Sequence, residues 1–303
     1  MTLLIGSVQL GLLYAAMALG IYITFRILNL PDLTVDGSFS LGMAGAAVAT
    51  ATGHPWLALI FAILAGALAG LATGLLHTKL NIHPILAGIL VMTGLYTVNL
   101  GVMGGKANLS IVGKETVFSL AELMLGTAGG MAKTLLALSI CLILIVILAV
   151  SFKTRFGLAI RATGDNEDMV RSSSINANVT KCAGLAIGNA CVALSGALIC
   201  QYQLFSDVGS GSGMVIIGLA SVIIGETVWG RRSVTIGLVS AAFGSILYRI
   251  ILAFALKIDI FPAYALKLIS TVIVILALSG PSIKASIQQN RFRKEVNNHL
   301  NHK

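Results

Sequence analysis

Long apolar stretches alternate with short polar breaks along the whole chain, and the hydrocarbon core of a bilayer takes about 20 apolar residues per helix. That ruler predicts spans over about residues 3–28, 55–76, 84–103, 132–152, 182–202, 234–256 and 264–278, with two shorter apolar segments at 38–52 and 214–229. The expected fold class is all-α, a polytopic transmembrane helical bundle of about nine crossings. It forms one domain, 1–303, with a first half at about 1–130, a polar central loop at 153–181, a second half at 182–280 and a basic tail at 281–303.

Two of the polar breaks resemble each other. The first carries Asp32 and then Asp36, Gly37, Ser38 and Gly42 at the opening of a short helix. The second carries Asp207, Gly209, Gly211 and Gly213, again opening a short helix. Each follows one long span and precedes two more. Short, glycine-interrupted segments at corresponding places in two halves mark the binding site or pathway of transporters built from inverted repeats; the plainer alternative is that Gly and Ser mark ordinary turns. A charge inside hydrocarbon costs at least about 2.5–3.5 kcal/mol, so these acids must pair, cap a helix or line a wet cavity. For Asp36 and Asp207 a helix N-terminus lies just downstream, and N-capping is the first reading, with solute contact second. Glu226 stands near Arg231 and Arg232, which predicts an ion pair.

Composition sharpens the membrane reading. Of 303 residues, 57% are hydrophobic and 10% charged, with a mean hydropathy of +0.95; a soluble domain carries about 25% charged residues. The 33 glycines suit helices packed in lipid, where small residues let backbones approach. The net charge of +9 is placed by position rather than by a nucleic-acid partner: 14 of the 20 basic residues fall on one side if the central loop is cytoplasmic. Nine crossings then put the C-terminus inside and the N-terminus outside; a re-entrant 38–52 would reverse the N-terminus. The basic run at Arg291, Arg293 and Lys294 reads as an anchor to anionic lipid. The first apolar stretch is too long, and lacks the basic start, for a cleavable signal peptide. Cys141, Cys182, Cys191 and Cys200 form no C-x-x-C pair and read as small buried hydrophobes. Scattered histidines and the absence of H-E-x-x-H or G-x-S-x-G leave no metal site and no hydrolytic centre.

The central loop is the most charged stretch between spans. Its middle predicts a short amphipathic helix, capped by Asp165 or Asn166 and led by Glu167 and Asp168. Such a helix at the membrane face is a docking element, which a merely topogenic loop does not require.

The run FGLAIRATGDNEDMVRSSSIN at 156–176 resembles the coupling loop of ABC importer permeases of the branched-chain amino acid and ribose type. LPDLTVDGSFSLGMAGA at 30–46 and IIGLASVIIGE at 216–226 resemble two further motifs of that superfamily. The likeness covers most of the chain outside its extreme C-terminus, and the wording of the first motif is similar to a subgroup linked to amino acids, including aromatic ones. Ser172, Ser173 and Ser174 stand where a small residue followed by Gly is more usual. The resemblance implies a bacterial inner-membrane permease subunit that is not itself an enzyme. It also implies a second permease copy, an extracytoplasmic binding protein docking on loops such as 104–130, and a separate ATP-binding subunit seated at 162–175. Arg161, Ala162, Thr163, Gly164, Asp165, Asn166, Glu167 and Asp168 would transmit force from that subunit. No nucleotide cofactor is expected in this chain, since residues 129–134 lack the glycine that a phosphate loop places before its lysine; ATP and magnesium would belong to the partner. An ion-coupled carrier acting alone, with Asp32, Asp36 or Asp207 as coupling carboxylates, is the competing expectation.

Overall fold

The computed structural model describes residues 2–126, 130–230 and 233–257, together with positions 268, 271, 272, 274 and 275. Among these, eleven α-helices carry nearly everything. The first, α1 (Thr2–Ile21), runs on into a π-helical turn, Tyr22–Ile27. Then come α2 (Thr34–Ala51), α3 (Pro55–Lys79), α4 (Pro84–Val102), α5 (Val117–Leu125) and α6 (Gly130–Ser151). After the centre follow α7 (Arg155–Asp165), α8 (Glu167–Ser172), α9 (Ala177–Gln203), α10 (Met214–Trp229) and α11 (Val234–Lys257). Two three-residue strands, β1 (Asn108–Ser110) and β2 (Phe205–Asp207), pair antiparallel with Asn108 opposite Asp207.

Among the described residues seven helices are long and apolar enough to cross a membrane. They match seven of the expected spans or segments, and α10 is extended there by the turn before it. The segment expected at 38–52 is a regular helix from Thr34, about 27 Å long at 1.5 Å per residue. It is too rich in Gly, Ser and Thr to count among the seven, and it is almost wholly buried. The ninth expected span, 264–278, falls on residues of which only five are described, and Arg231, Arg232 and the tail 281–303 lie outside the described residues.

Prolines fix where α3 and α4 begin. Pro55 and Pro84 occupy the first helical position, where the missing N–H costs nothing. The bundle is organised around α1 and α9, whose spans are 72% and 78% buried; α4 and α6, at 17%, are peripheral and leave most of their apolar surface open. The closest packing is between α3 and α9. Gly66, Gly70 and Gly74 form a stripe at four-residue spacing, and a Cβ on any of them would overlap α9 at Asn189, Leu185 or Cys182. In lipid no hydrophobic force draws helices together, so a glycine seam of this kind gains its energy from dispersion contacts between backbones.

Side-chain bonds define the two ends of the bundle. At one end Gln9 donates to the Gly130 carbonyl (2.7 Å) and Thr134 (2.8 Å) and accepts from Tyr202 (2.8 Å). Gln201 there donates to the Pro55 carbonyl (3.0 Å) and accepts from the Val117 N–H (2.8 Å). This end gathers the starts of α1, α3 and α6, the end of α9, and the β1–β2 ribbon. At the opposite end Arg26 pairs with Glu226 (2.7 Å), Thr78 meets Cys182 (3.4 Å), and α7 and α8 lie across the ends of α1 and α9. The π-helical turn delivers Arg26 to Glu226 from 200 residues away; the pairing expected with Arg231 and Arg232 falls on residues outside the described ones.

Candidate functional site

The two glycine-rich breaks meet. Asp36 stands in the first turn of α2, yet its carboxylate turns to the other half of the chain. One oxygen accepts from the Gly213 N–H and the other from the Val215 N–H, both at 2.9 Å. Gly213 makes this possible by taking φ +88°, a conformation strained for any residue with a Cβ, which turns the unpaired amides at the start of α10 toward the acid. Asp36 is therefore a cap, but of α10 and not of its own helix as expected. The start of α2 is held by Asp32, which accepts from the Thr34 N–H at 2.8 Å. Asp207 caps its own downstream 3-10 turn, Val208–Gly211, by accepting from the Gly209 N–H. The helices α2 and α10 thus start side by side and run apart, α2 toward the Pro55 end and α10 toward the Arg26 end.

Around this junction lies an open cavity of about 360 Å³. The first break contributes Asp36, Gly37 and Ser40, the second Val208, Gly209 and Ser212, and α4 adds Met92, Thr93, Tyr96 and Asn99. Of the pathway residues expected from sequence, Asp36, Gly37 and Gly209 line the cavity. Gly211 packs beneath it against the Asp36 backbone and Ser40, and Gly213 shapes the α10 start. Gly42 lies elsewhere, pressed on the α9 backbone at Ala193. Asp32 and Ser38 are buried behind the cavity wall, where both bond to Asn189 of α9. The Asn189 amide donates to Asp32 (2.6 Å) and accepts from the Ser38 hydroxyl (2.7 Å), and Thr34 bonds to Thr73 beside them (2.6 Å). A buried carboxylate is tolerable only when donors surround it, and this network supplies them. A second intramembrane charge, Arg249, lies over the ring of Tyr14 at 3.5 Å, and Tyr14 in turn stacks on Phe39.

The central loop folds into an elbow of two helices. Thr154 opens α7, accepting from the Gly157 N–H at 3.2 Å. Asn166 then takes an extended conformation, ends α7, and caps α8 by accepting from the Met169 N–H at 3.0 Å, so that Asn166 rather than Asp165 is the cap. Ser174 turns the chain at φ 60°, in the left-handed region that the more usual glycine favours, and Asn176 caps α9. The elbow is fastened on its inner side. Thr163, buried, bonds to Thr180 at 2.7 Å; Gly164 rests against the backbone of Ile27 and Leu28 at the end of α1; and Glu167 pairs with Lys181 at 2.6 Å and Arg171 at 2.8 Å. The Lys181 ammonium, and after it the Arg171 guanidinium, hold the Glu167 carboxyl below the ordinary glutamate value. Arg161 and Ala162 are half-buried, while Asp165, Asn166 and Asp168 are exposed. The outer face also exposes Phe156, Leu158 and Met169, about half of each side chain being open. Among the described residues no group of three His, Cys, Asp or Glu is placed to hold a metal, and all four cysteines are free and buried.

Sequence reasoning missed the α4 wall and Asn189. Asn99 and Asn189 carried a signal, since each is an amide inside an apolar span, but nothing along the chain says which way α4 turns Thr93 and Tyr96.

The chain is similar in sequence to known proteins. The family described as branched-chain amino acid transport system / permease component matches residues 3–278. A tyrosine transport system permease protein of Clostridioides difficile (strain R20291) is 36% identical over 280 residues, covering 92% of this chain and 91% of the relative. An uncharacterized protein, RP368, of Rickettsia prowazekii (strain Madrid E) is 33% identical, covering 92% and 98%. The autoinducer 2 import system permease protein LsrC of Yersinia pestis (strain Pestoides F) is 26% identical, covering 80% and 66%. No solved structure matches the chain. With a family match over residues 3–278 and a multi-pass helical bundle, this chain belongs to the family of branched-chain amino acid transport system permease components, which are of ABC type.

Proposed function

We propose that the chain carries an amino acid across the bacterial inner membrane, delivered by an extracytoplasmic binding protein and driven by ATP hydrolysed in a separate subunit. ATP and magnesium bind that subunit, which seats on the outer face of the α7–α8 elbow. Two copies of the permease work together, and the solute passes through the cavity where the two breaks meet, with the elbow end and the C-terminus on the cytoplasmic side. The single observation that carries this reading is the elbow's two-sidedness. Its inner face is bonded to α1 and α9, while its outer face leaves Phe156, Leu158 and Met169 open among charged residues, the composition of a docking surface. A push on the elbow moves α9, and through Asn189 it moves α2 and the Asp36–Gly213 junction at the cavity. The nine crossings and the inverted relation of the halves are part of the proposal, supported by α2 and α10 starting together and running apart. Amino-acid cargo is supported by the tyrosine transport relative.

The test is co-purification of an ATP-binding subunit with the permease, comparing wild type with the variants Phe156→Asp and Met169→Asp. Both are expected to lose the subunit while keeping helical content and thermal unfolding near wild type. Retention of the subunit by both would refute the elbow as its seat.

A further inference from the structure

The cavity wall has a one-sided hydrogen-bonding chemistry. The Thr93 hydroxyl donates to the Ile89 carbonyl at 2.8 Å, and the Ser40 hydroxyl donates to the Val208 carbonyl at 2.9 Å. A hydroxyl has one proton and two lone pairs, so both groups retain only the capacity to accept, and Ser40 already spends part of that on the Gly211 N–H. Asn99 donates to the Gly37 carbonyl at 3.3 Å, which fixes its amide, because the flipped orientation would set two carbonyl oxygens against each other. Its own Oδ1 is buried and has no partner, in a residue only 1% exposed. The N–H groups at the start of α10 that would otherwise draw an anion are taken by Asp36. Among the described residues Asp36 is the one charged residue in the lining, which holds no Lys or Arg. The hydroxyls of Tyr96 and Ser212 accept as readily as they donate.

We propose that this cavity is an amine-receiving station on the solute's path. It takes the ammonium group of a zwitterionic or cationic solute against Asp36, Thr93 and Asn99, with the exposed ring of Tyr96 beside it, and it disfavours net anionic solutes. An ammonium has three donors and no acceptor, the complement of a wall that has acceptors to spare, and a ring face attracts a cation further. A donor reaching Asn99 would also satisfy an acceptor that is otherwise buried at a cost. This inference rests on the reading of the cavity as the pathway and narrows it to a class of cargo.

The native cysteines are all buried, so a single cysteine placed in the wall reports the local field. The full chain carrying Thr93→Cys, held in nanodiscs of uncharged lipid, is treated with a cationic trimethylammonium-ethyl or an anionic sulfonatoethyl methanethiosulfonate. Each rate is divided by that reagent's rate with a free thiol in solution. Clefts lined by one sign of charge raise the local concentration of the opposite sign by about ten- to a thousandfold. The expected cation preference is on the order of tenfold at low salt, reduced by adding Asp36→Asn, and Ser212→Cys gives a second position should the first not fold. Equal rates, or faster anionic labelling, at the positions that fold would overturn the proposal while leaving ATP-driven import untouched. Conversely, a cation preference in a chain that moves solute without any ATPase would leave this inference standing and remove the proposed function.

Discussion

Replacing Gly164 by alanine sets two effects against each other, and the structure says which prevails. In a helix interior the change is worth about 0.5–1 kcal/mol in alanine's favour, because glycine loses more backbone entropy on folding. At this position, however, the new methyl enters the backbone of the preceding span, overlapping the Ile27 carbonyl and lying 2.9 Å from the Leu28 Cα. Neither is the movable tip of a side chain, so α7 must lift off α1. Overpacking of this kind costs about 1–3 kcal/mol. The net effect is about 1 kcal/mol against docking, roughly a fivefold shift toward an unseated elbow. Two assays read it. Amide hydrogen exchange in α7 should speed up by that factor with global unfolding little changed, and the reconstituted complex should hydrolyse more ATP per solute carried. Gly94→Ala is the control, since a Cβ there meets nothing within 4 Å and α4 should only gain. Unaltered exchange in α7 together with unaltered coupling would refute the claim that Gly164 seats the elbow on α1.

Glu167→Gln removes the Lys181 ion pair that ties α8 to α9 and the Arg171 pair within α8. The carboxylate is about one-third exposed, so the loss is limited to about 0.5–1 kcal/mol and shows as faster exchange confined to α8. Because the native carboxyl titrates below the ordinary glutamate value, its contribution is complete above that ordinary value and disappears as pH falls through the lowered one. Wild-type protection of α8 should therefore decline in acid and that of the Gln variant should not; parallel pH profiles would contradict the tie. Asn189→Leu strips the buried Asp32 and Ser38 of a partner and should cost about 3 kcal/mol in thermal unfolding. Asn189→Asp, which sets a second carboxylate against that of Asp32, should be as damaging, and adding Asp32→Asn should recover much of the loss. Absence of that recovery would show that the acid–amide pair does not hold α2 to α9.

The membrane-spanning pattern was legible because hydrocarbon thickness is a ruler that acts on single helices: length and polarity along the chain determine each span before any packing. The elbow was legible for a similar reason, as caps such as Asn166 act within three residues. What the chain did not reveal were the choices made by packing. Asp36 capped a helix 177 residues away instead of its own, because α2 and α10 start together and Gly213 turns its amides outward. Glu226 pairs with Arg26, a partner 200 residues away that no sequence neighbourhood suggests, because the π-helical turn carries the guanidinium to the end of α10. Gly42 and Gly164 read as pathway and force-bearing positions, yet each is a place where one backbone lies against another. A glycine required for close approach and one required near a solute look identical in sequence.

The most direct test is uptake into proteoliposomes that contain the purified permease, with and without its ATP-binding subunit and binding protein. From a panel of labelled amino acids, the one carried should accumulate only when both partners and ATP are present, and a proton or sodium gradient across vesicles holding the permease alone should drive none. Gradient-driven uptake by the permease alone would contradict the account.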